Sequence, residues 1–281
     1  VLYEEDDTNI YSLSNRFVYP IVKDGEGGVW IGTYYGGMNY IAPRNSVFES
    51  YNFTKKRNTI GGNVISKFCE DKNGEIWIAS DDGGLNRFNP ITKTFTQFMP
   101  ERNNKNSLSY HNVHALCIDG DQLWIGTYTG GVNLYNIDKG TFKVYSSTKN
   151  NPNTLDGTSS YAIFKDNRDN IWVATMSGIN LYDRKNDNFK RVKNFDALTI
   201  DIDQDKDGNL WFATQGKGIY KYNPRRNQWK NYTSSNNKSG SLPTNQINCI
   251  NINQDNEIYI ATNYGLYKYL PQNDSFKPIK L

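Results

Sequence analysis

The sequence predicts an all-β protein, a β-propeller of four-stranded antiparallel blades, and three observations carry that expectation. An aromatic marker returns inside one short phrase, at Trp30, Trp77, Trp124, Trp172, Trp211 and, as tyrosine, Tyr259, in steps of 47, 47, 48, 39 and 48 residues. A period in the forties is that of a propeller blade or a similar repeat unit. Each marker stands between aliphatic neighbours and runs into a small residue and a hydroxyl, as in VWIGT, IWIAS and LWFAT. Around it, runs of β-branched and aromatic residues alternate with Gly, Asn and Asp, which is the composition of successive hairpins.

Within each unit the strands follow one order. The first precedes the marker and ends in an Asp- and Gly-rich turn, seen in IVKDGEGG, FCEDKNGE, IDGDQ, FKDNRDN, DIDQDKDGN and INQDNE. The second carries the marker. A turn with one or two glycines opens the third, in GGMNYI, GGLNRF, GGVNLY, SGINLY, KGIYKY and YGLYKY. The fourth is closed by Phe48, Phe95, Phe142, Phe189, Trp229 or Phe276, 17 or 18 residues after the marker, usually with a second aromatic or aliphatic residue three positions later. One such sheet cannot hide both faces, so neighbouring sheets must stack and the array must curve toward closure.

Six complete blades follow, at about 12–52, 59–99, 107–146, 154–193, 196–233 and 241–281, read as a single domain over 1–281 because an even period leaves no room for a linker. Residues 1–7 read as the outer strand of a preceding blade, since Tyr3 stands nine residues before Ser12 as Phe98 stands nine before Ser107. The chain is therefore expected to be a segment of a longer ring or tandem array, with a six-bladed ring or an open arc as alternatives.

Composition sets limits. The 14% aromatic content, with 20 tyrosines, supplies the bulk that fills the wedges between blades, and no helix of useful length is expected. A net charge of +3 without a dense basic run argues against nucleic acid as a partner. No apolar stretch approaches membrane-spanning length and the chain opens in VLYEEDD, so neither direct membrane insertion nor a signal peptide is expected in this stretch. Cys69 and Cys117 hold equivalent places in the first strands of their units, with Cys249 close to that place in the sixth. They read as buried single thiols rather than a disulfide, and so leave the compartment open.

The joined pattern of a Ser-Leu linker, an Asp-containing turn, W-I-G-T, G-G-x-N and F-x-x-Y resembles the two-component regulator propeller repeat. The linkers SLSNRFV, TIGGNVI, SLSYHNV, TLDGTSS and SLPTNQI precede five of the six units. The fifth unit departs, because RVKNFDALTI replaces the long linker and shortens the step from Trp172 to Trp211. The resemblance implies seven-bladed closure and the extracytoplasmic, periplasmic sensor region of a bacterial hybrid two-component system, with tandem propellers, an immunoglobulin-like module, a membrane helix and a histidine kinase. It also implies an oligosaccharide ligand, control of glycan-utilisation genes through phosphorelay, and ligand lying where propellers or subunits of a homodimer meet. This segment would then be a non-catalytic sensor with no cofactor and no metal.

Independently of the family, propeller geometry puts the inter-blade linkers and the loop after each marker strand on one face. That face would display Arg16, Tyr34, Tyr35, Asn63, Asp81, Asp82, Tyr110, His111, Tyr128, Met176, Gln215, Lys217, Asn263 and Tyr264. Aromatics with an apolar plane and a polar tip, mixed with amides and carboxylates, suit a sugar ring with its CH patches and hydroxyls. Loops on one face of a rigid scaffold are a usual home for binding residues. Tyr34, Tyr35, Tyr128 and Tyr264 read as equivalents around a common mouth.

Other chemistries find little support. Asp203 to Gly208, DQDKDG, resembles the start of a calcium loop, but the twelfth position is Thr214 instead of glutamate, so a hairpin turn is expected. His111 and His114 are the only histidines. Three residues apart on a strand they point to opposite faces, which argues against zinc, and His114 is expected to affect stability more than affinity. No G-x-S-x-G phrase accompanies them. Asp81 and Asp82 could serve as the acid pair of a glycosidase or glycan lyase, the enzymatic alternative. A protein-docking or dimerisation scaffold is the third reading.

Overall fold

The computed structural model describes residues 12–25, 27–41, 48–54, 58–193, 195–235 and 240–279, with the backbone alone at residue 48. The outer strand expected at 1–7 lies outside the described residues. Every regular element among them is a β-strand, and the strands form six four-stranded sheets, each with its strands in chain order. Blade 1 holds β1 (Val18–Lys23), β2 (Val29–Thr33), β3 (Gly37–Ile41) and β4 (Phe48–Tyr51). Blade 2 holds β5 (Ile65–Glu70), β6 (Ile76–Ser80), β7 (Gly84–Asn89) and β8 (Thr94–Phe98). Blade 3 holds β9 (Val113–Asp119), β10 (Gln122–Thr127), β11 (Val132–Asn136) and β12 (Thr141–Tyr145). Blade 4 holds β13 (Ser160–Lys165), β14 (Ile171–Thr175), β15 (Gly178–Asp183) and β16 (Asn188–Arg191). Blade 5 holds β17 (Thr199–Gln204), β18 (Leu210–Thr214), β19 (Ile219–Asn223) and β20 (Gln228–Tyr232). Blade 6 holds β21 (Ile247–Ile252), β22 (Ile258–Thr262), β23 (Gly265–Leu270) and β24 (Ser275–Pro278).

The chain forms two compact units, Val1–Ser146 with blades 1 to 3 and Ser147–Leu281 with blades 4 to 6. In the first, one core cluster gathers Trp30, Met38, Ile65, Ile78 and Phe88 from blades 1 and 2, and another gathers Trp77, Leu85, Val113, Ile125 and Tyr135 from blades 2 and 3. In the second, Trp172, Ile179, Ile202 and Phe212 join blades 4 and 5, while Trp211, Ile219, Ile247, Ile260 and Tyr269 join blades 5 and 6. The cores thus lie between blades, where burial of a side chain such as Ile78 or Phe88 contributes about 1.5–3 kcal/mol. Strands β6, β14 and β18 are buried along their whole length.

Each part of the repeating phrase has a physical task. The hydroxyl that ends the marker strand closes the following turn, as Thr33, Thr127, Thr175, Thr214 and Thr262 each donate to the carbonyl of the glycine that opens the third strand. That glycine has a positive φ, 70° at Gly84, where a Cβ would lie 2.5 Å from the Phe98 carbonyl oxygen. The Asp of the first turn anchors the marker: the indole N–H of Trp30, Trp77, Trp172 and Trp211 donates to Asp24, Asp71, Asp166 and Asp205, each at 2.9 Å. Blade 3 closes in a tighter turn that pairs Asp119 with Gln122, so Ile118 stands six residues before Trp124 where blades 1, 2, 4 and 5 have Asp. In blade 6 marker and anchor change together: Asn253 takes the Asp position, and the Tyr259 hydroxyl donates to Glu257 at 2.6 Å.

The turn that resembled a calcium loop is of this kind. Asp205 accepts from Trp211 and from both the backbone and side chain of Asn209, and Asp203 accepts from the Ile252 N–H at 2.6 Å. Among the described residues no group of three or more His, Cys, Asp or Glu converges on one point. None of the three cysteines is in a disulfide, and burial pushes the Cys69 thiol well above its ordinary value, with Cys117 adding to it. No helix among the described residues is long and apolar enough to cross a membrane.

Candidate functional site

One irregularity recurs in every blade and shapes the candidate site. Between its first strand and its marker strand the register slips by one residue, at Val18/Ile21, Ile65/Lys67, Gly126/Thr127, Ser160/Ala162, Thr199/Asp201 and Ile247/Cys249. A β-bulge leaves one residue unpaired and re-aims its side chain. The residues so placed are Tyr19, Ser66 and His114 in the first unit and Tyr161, Ile200 and Asn248 in the second. Beside each bulge the residue after the marker strand is held by its backbone: Tyr34, Asp81 and Tyr128 donate to Phe17, Val64 and Asn112 at 2.9, 2.9 and 3.0 Å.

In the first unit these two sets form an aromatic and polar strip. Tyr19 stacks on Tyr34 with ring centroids 5.5 Å apart, and Tyr34 meets Tyr35 edge-on at 4.3 Å. The hydroxyl of Tyr35 pushes the Tyr34 phenol above its ordinary value, with burial, Tyr19 and Asp81 adding smaller contributions. Asp81 Oδ1 lies 3.3 Å from His114 Nε2 and accepts from Asn112 Nδ2 at 3.0 Å. His114 in turn packs on Tyr128 at 6.0 Å. Burial lowers the His114 pKa and Asp81 opposes that shift, so the imidazole stays neutral at pH 7. The strip offers phenol faces, a carboxylate and an imidazole, with Tyr19, Tyr35 and Tyr128 exposed.

The other candidates are placed differently. Asp82 accepts from the backbone of Asn63 and Val64 and from Ser80 Oγ, so it ties its loop to the linker before β5 of the same blade. Asp81 and Asp82 are thus held by separate sets of partners. Asn63 and His111 occupy one repeating position, where their carbonyls accept from Gly37 and Gly84 of the preceding blade. Tyr110 stacks on His111 at 4.6 Å, while His111 itself is exposed. Arg16 lies over the Phe17 ring at 5.0 Å.

In the second unit Met176 and Tyr264 are exposed. Gln215 Nε2 donates to the Ile247 carbonyl at 2.8 Å and ties blade 5 to blade 6. Lys217 pairs with Asp196 at 2.7 Å, and Asn263 accepts from the bulge residue Asn248 at 2.8 Å. The tyrosines fall into two registers: Tyr34 and Tyr128 directly follow the marker strand, whereas Tyr35 and Tyr264 come one residue later.

Tyr19 and His114 escaped sequence reasoning as site residues, because strict alternation assigns a strand residue to one face and a bulge reverses that assignment; Asn112, just before β9, carried no signal of its own. Pro20 was an available signal, since proline inside a strand belongs to edges and bulges.

Six sequential four-stranded antiparallel blades, with an aromatic and polar strip along consecutive bulges in the first unit, define a repeat protein of the β-propeller class. Residues 12–35, 59–82, 107–129 and 154–177 match the two-component regulator propeller. Four of the six blades of this chain therefore match that repeat. The structure explains why these four stand apart. In each, the Asn of the third strand (Asn39, Asn86, Asn133 or Asn180) accepts from the backbone N–H that follows the buried Leu or Ile of the linker, at 2.8–3.1 Å. Blade 5 lacks the linker and has Tyr220 at that position; blade 6 has Pro243, which carries no N–H, and Tyr267.

Among solved structures, the extracellular domain of the proposed one-component system BT4673 from B. thetaiotaomicron superposes with a TM-score of 0.74 at 21% identity, over 94% of this chain and 36% of that one. The extracellular domain of the proposed hybrid two-component system BT3049 from the same organism gives 0.56 at 21% identity, over 89% and 39%. Virginiamycin B lyase from Staphylococcus aureus, with quinupristin, gives 0.71 at 15% identity, over 99% and 88%. At these identities the likeness is one of fold. The chain spans little more than a third of the two extracellular domains. No curated protein matches it in sequence.

Proposed function

We propose that this chain is the ligand-sensing part of a two-component receptor, which binds an oligosaccharide outside the cytoplasm and regulates glycan-utilisation genes through a downstream histidine kinase. The observation that carries this reading is the strip from Tyr19 through Tyr34, Asp81 and His114 to Tyr128, where stacked phenols stand beside a carboxylate and an imidazole. A pyranose ring buries its CH face on such phenols and spends its hydroxyls on the polar groups between them. The family of the four matched blades, and the extracellular location of two structurally similar domains, support a sensor in the periplasm. The separate anchoring of Asp81 and Asp82 supports binding without cleavage, because a glycosidase needs two acids facing one bond. Further propeller blades, an immunoglobulin-like module and a second copy of the receptor are the partners this role would require.

The test is calorimetric titration against size-defined oligosaccharides from plant, host and microbial glycans, with chromatography of the recovered sugar. Binding of one unchanged oligosaccharide is the expected result. A shortened sugar would replace the sensor by an enzyme, and silence across the panel would favour a scaffold.

A further inference from the structure

A second recess lies in the unit of blades 4 to 6, away from the bulge residues, and its origin can be read from one substitution in the repeat. Three residues after the closing aromatic of blades 1, 2, 3 and 5 stand Tyr51, Phe98, Tyr145 and Tyr232. Each of these rings packs on the marker tryptophan of its own blade, with centroids 5.6–6.2 Å apart and interplanar angles of 11–34°. Tyr51, Phe98 and Tyr232 also touch aromatics of the next blade, such as Phe88, Tyr135 and Tyr269, so the ring is a plug between blades.

In blade 4 the plug position is Val192. No ring of blade 4 packs on Trp172, whose aromatic neighbours among the described residues are Phe212 and Tyr222 of blade 5. What remains is a cavity of about 600 Å³, whose lining includes Trp172, Val192, Lys193, Phe195, Tyr222 and Trp229. That volume falls in the range of small-molecule sites. Tyr222 and Trp229 stack at 4.4 Å and form one wall.

The short connection into blade 5 supplies a further wall of the recess, Phe195, whose ring packs on Tyr220 and Trp229 at 5.0 and 5.1 Å. In blades 2, 3, 4 and 6 a linker group, from Asn58, Asn106, Asn153 or Gly240, accepts the N–H of the closing aromatic at 2.7–3.2 Å. Among the described residues no linker group does so for Trp229. Lys193 makes no ion pair among the described residues, and none of the described residues that line the recess is a carboxylate.

We propose that the recess between blades 4 and 5 is a binding site for a small aromatic acid, whose ring takes the plug position left by Val192 and whose carboxylate meets Lys193. The four rings that fill the same position elsewhere in the chain define its shape complement, and the lysine defines the charge of the substituent. A site built this way binds by contact with preformed aromatic walls, as an apolar cavity admits a ring that matches the missing side chain. It is independent of the oligosaccharide reading, because it shares no residue with the strip around Tyr34 and Asp81.

The experiment is calorimetric titration of the chain with 4-hydroxyphenylacetate, p-cresol and methyl α-D-glucopyranoside, repeated on Val192→Tyr and Lys193→Met. The expected result is saturable binding of 4-hydroxyphenylacetate, weakened at least tenfold by Val192→Tyr, which supplies the plug from within, and severalfold by Lys193→Met, a surface change that leaves the fold intact. Binding of p-cresol as tight as that of the acid, or no effect of Lys193→Met, would overturn the assignment of Lys193. Binding of the glucoside alone, or of no probe, would overturn the site. Loss of binding in Val192→Tyr counts in favour only if its thermal midpoint equals or exceeds that of the parent chain; should that variant unfold, Lys193→Met decides.

Discussion

Replacing Asp71 by alanine tests the claim that an aspartate six residues before the marker tryptophan holds a blade together. The carboxylate is 6% exposed and accepts three N–H groups: the indole of Trp77 at 2.9 Å, Asn73 at 2.8 Å and Glu75 at 3.2 Å. Asn73 is exposed and Glu75 half-buried, so water can take over for the two backbone donors. Trp77 is fully buried, and its N–H would be left without an acceptor. An unpaired buried donor costs about 1–3 kcal/mol, and a lost hydrogen bond to a charged group about 1.5–3 kcal/mol, two overlapping descriptions of largely one loss. The expected destabilisation is about 1.5–3 kcal/mol. With a urea slope of about 3 kcal/mol/M, the midpoint of urea unfolding followed by tryptophan fluorescence falls by about 0.5–1 M. Asp121→Ala is the control, since that residue lies in the blade 3 turn, is exposed and holds no indole. A midpoint for Asp71→Ala no lower than that of Asp121→Ala would refute the anchoring role.

Three further outcomes are expected. Tyr34→Ala or Tyr128→Ala weakens oligosaccharide binding about tenfold, or about 1.4 kcal/mol, with little change in thermal midpoint; titration and melting measured side by side check both parts. His114, whose folded pKa is depressed by burial, gives stability that is present above its unfolded value near 6.5 and is lost as pH falls through the folded pKa. His114→Gln therefore flattens the stability profile below about pH 6.5, measured by urea unfolding at successive pH values, and an unchanged slope there would count against a buried neutral imidazole. Asp274 is pushed up by burial, but Lys230 and the hydroxyls of Tyr232 and Tyr269 outweigh this and hold it at about 2. Its contribution is present above the ordinary carboxylate value and lost as pH falls toward 2, so Asp274→Asn lowers stability at pH 7 and removes part of the acid limb in a melting series.

Of the candidate site, the sequence disclosed the positions after the marker strand but not their company. Tyr34, Asp81 and Tyr128 could be named because they follow a phrase that repeats. Tyr19 and His114 could not, because a single inserted residue reverses the face of a strand side chain and leaves the hydrophobic pattern intact. His114 was read as a structural residue facing away from His111. The histidines do have different surroundings, yet His114 stands against Asp81 and Tyr128, where it can serve both packing and recognition. Asp81 and Asp82, adjacent in sequence, differ because Asp82 turns back onto the linker before β5 of its own blade while Asp81 faces Asn112 and His114 of the next.

The strand order, the marker positions, the glycines of the turns and the shortened fifth unit were determined by the sequence alone. They depend on local propensity and on a period that repeats every blade, and both are written along the chain. Which side chains meet was decided by the tertiary structure. The Asp71 to Trp77 anchor, the bridge from Asp81 to His114 and the recess beside Val192 all depend on three-dimensional register, on a one-residue bulge or turn length within a blade and on which ring the neighbouring blade presents. Burial then fixes the consequence, since a buried indole N–H must find an acceptor and a missing ring leaves space that the surrounding strands cannot close.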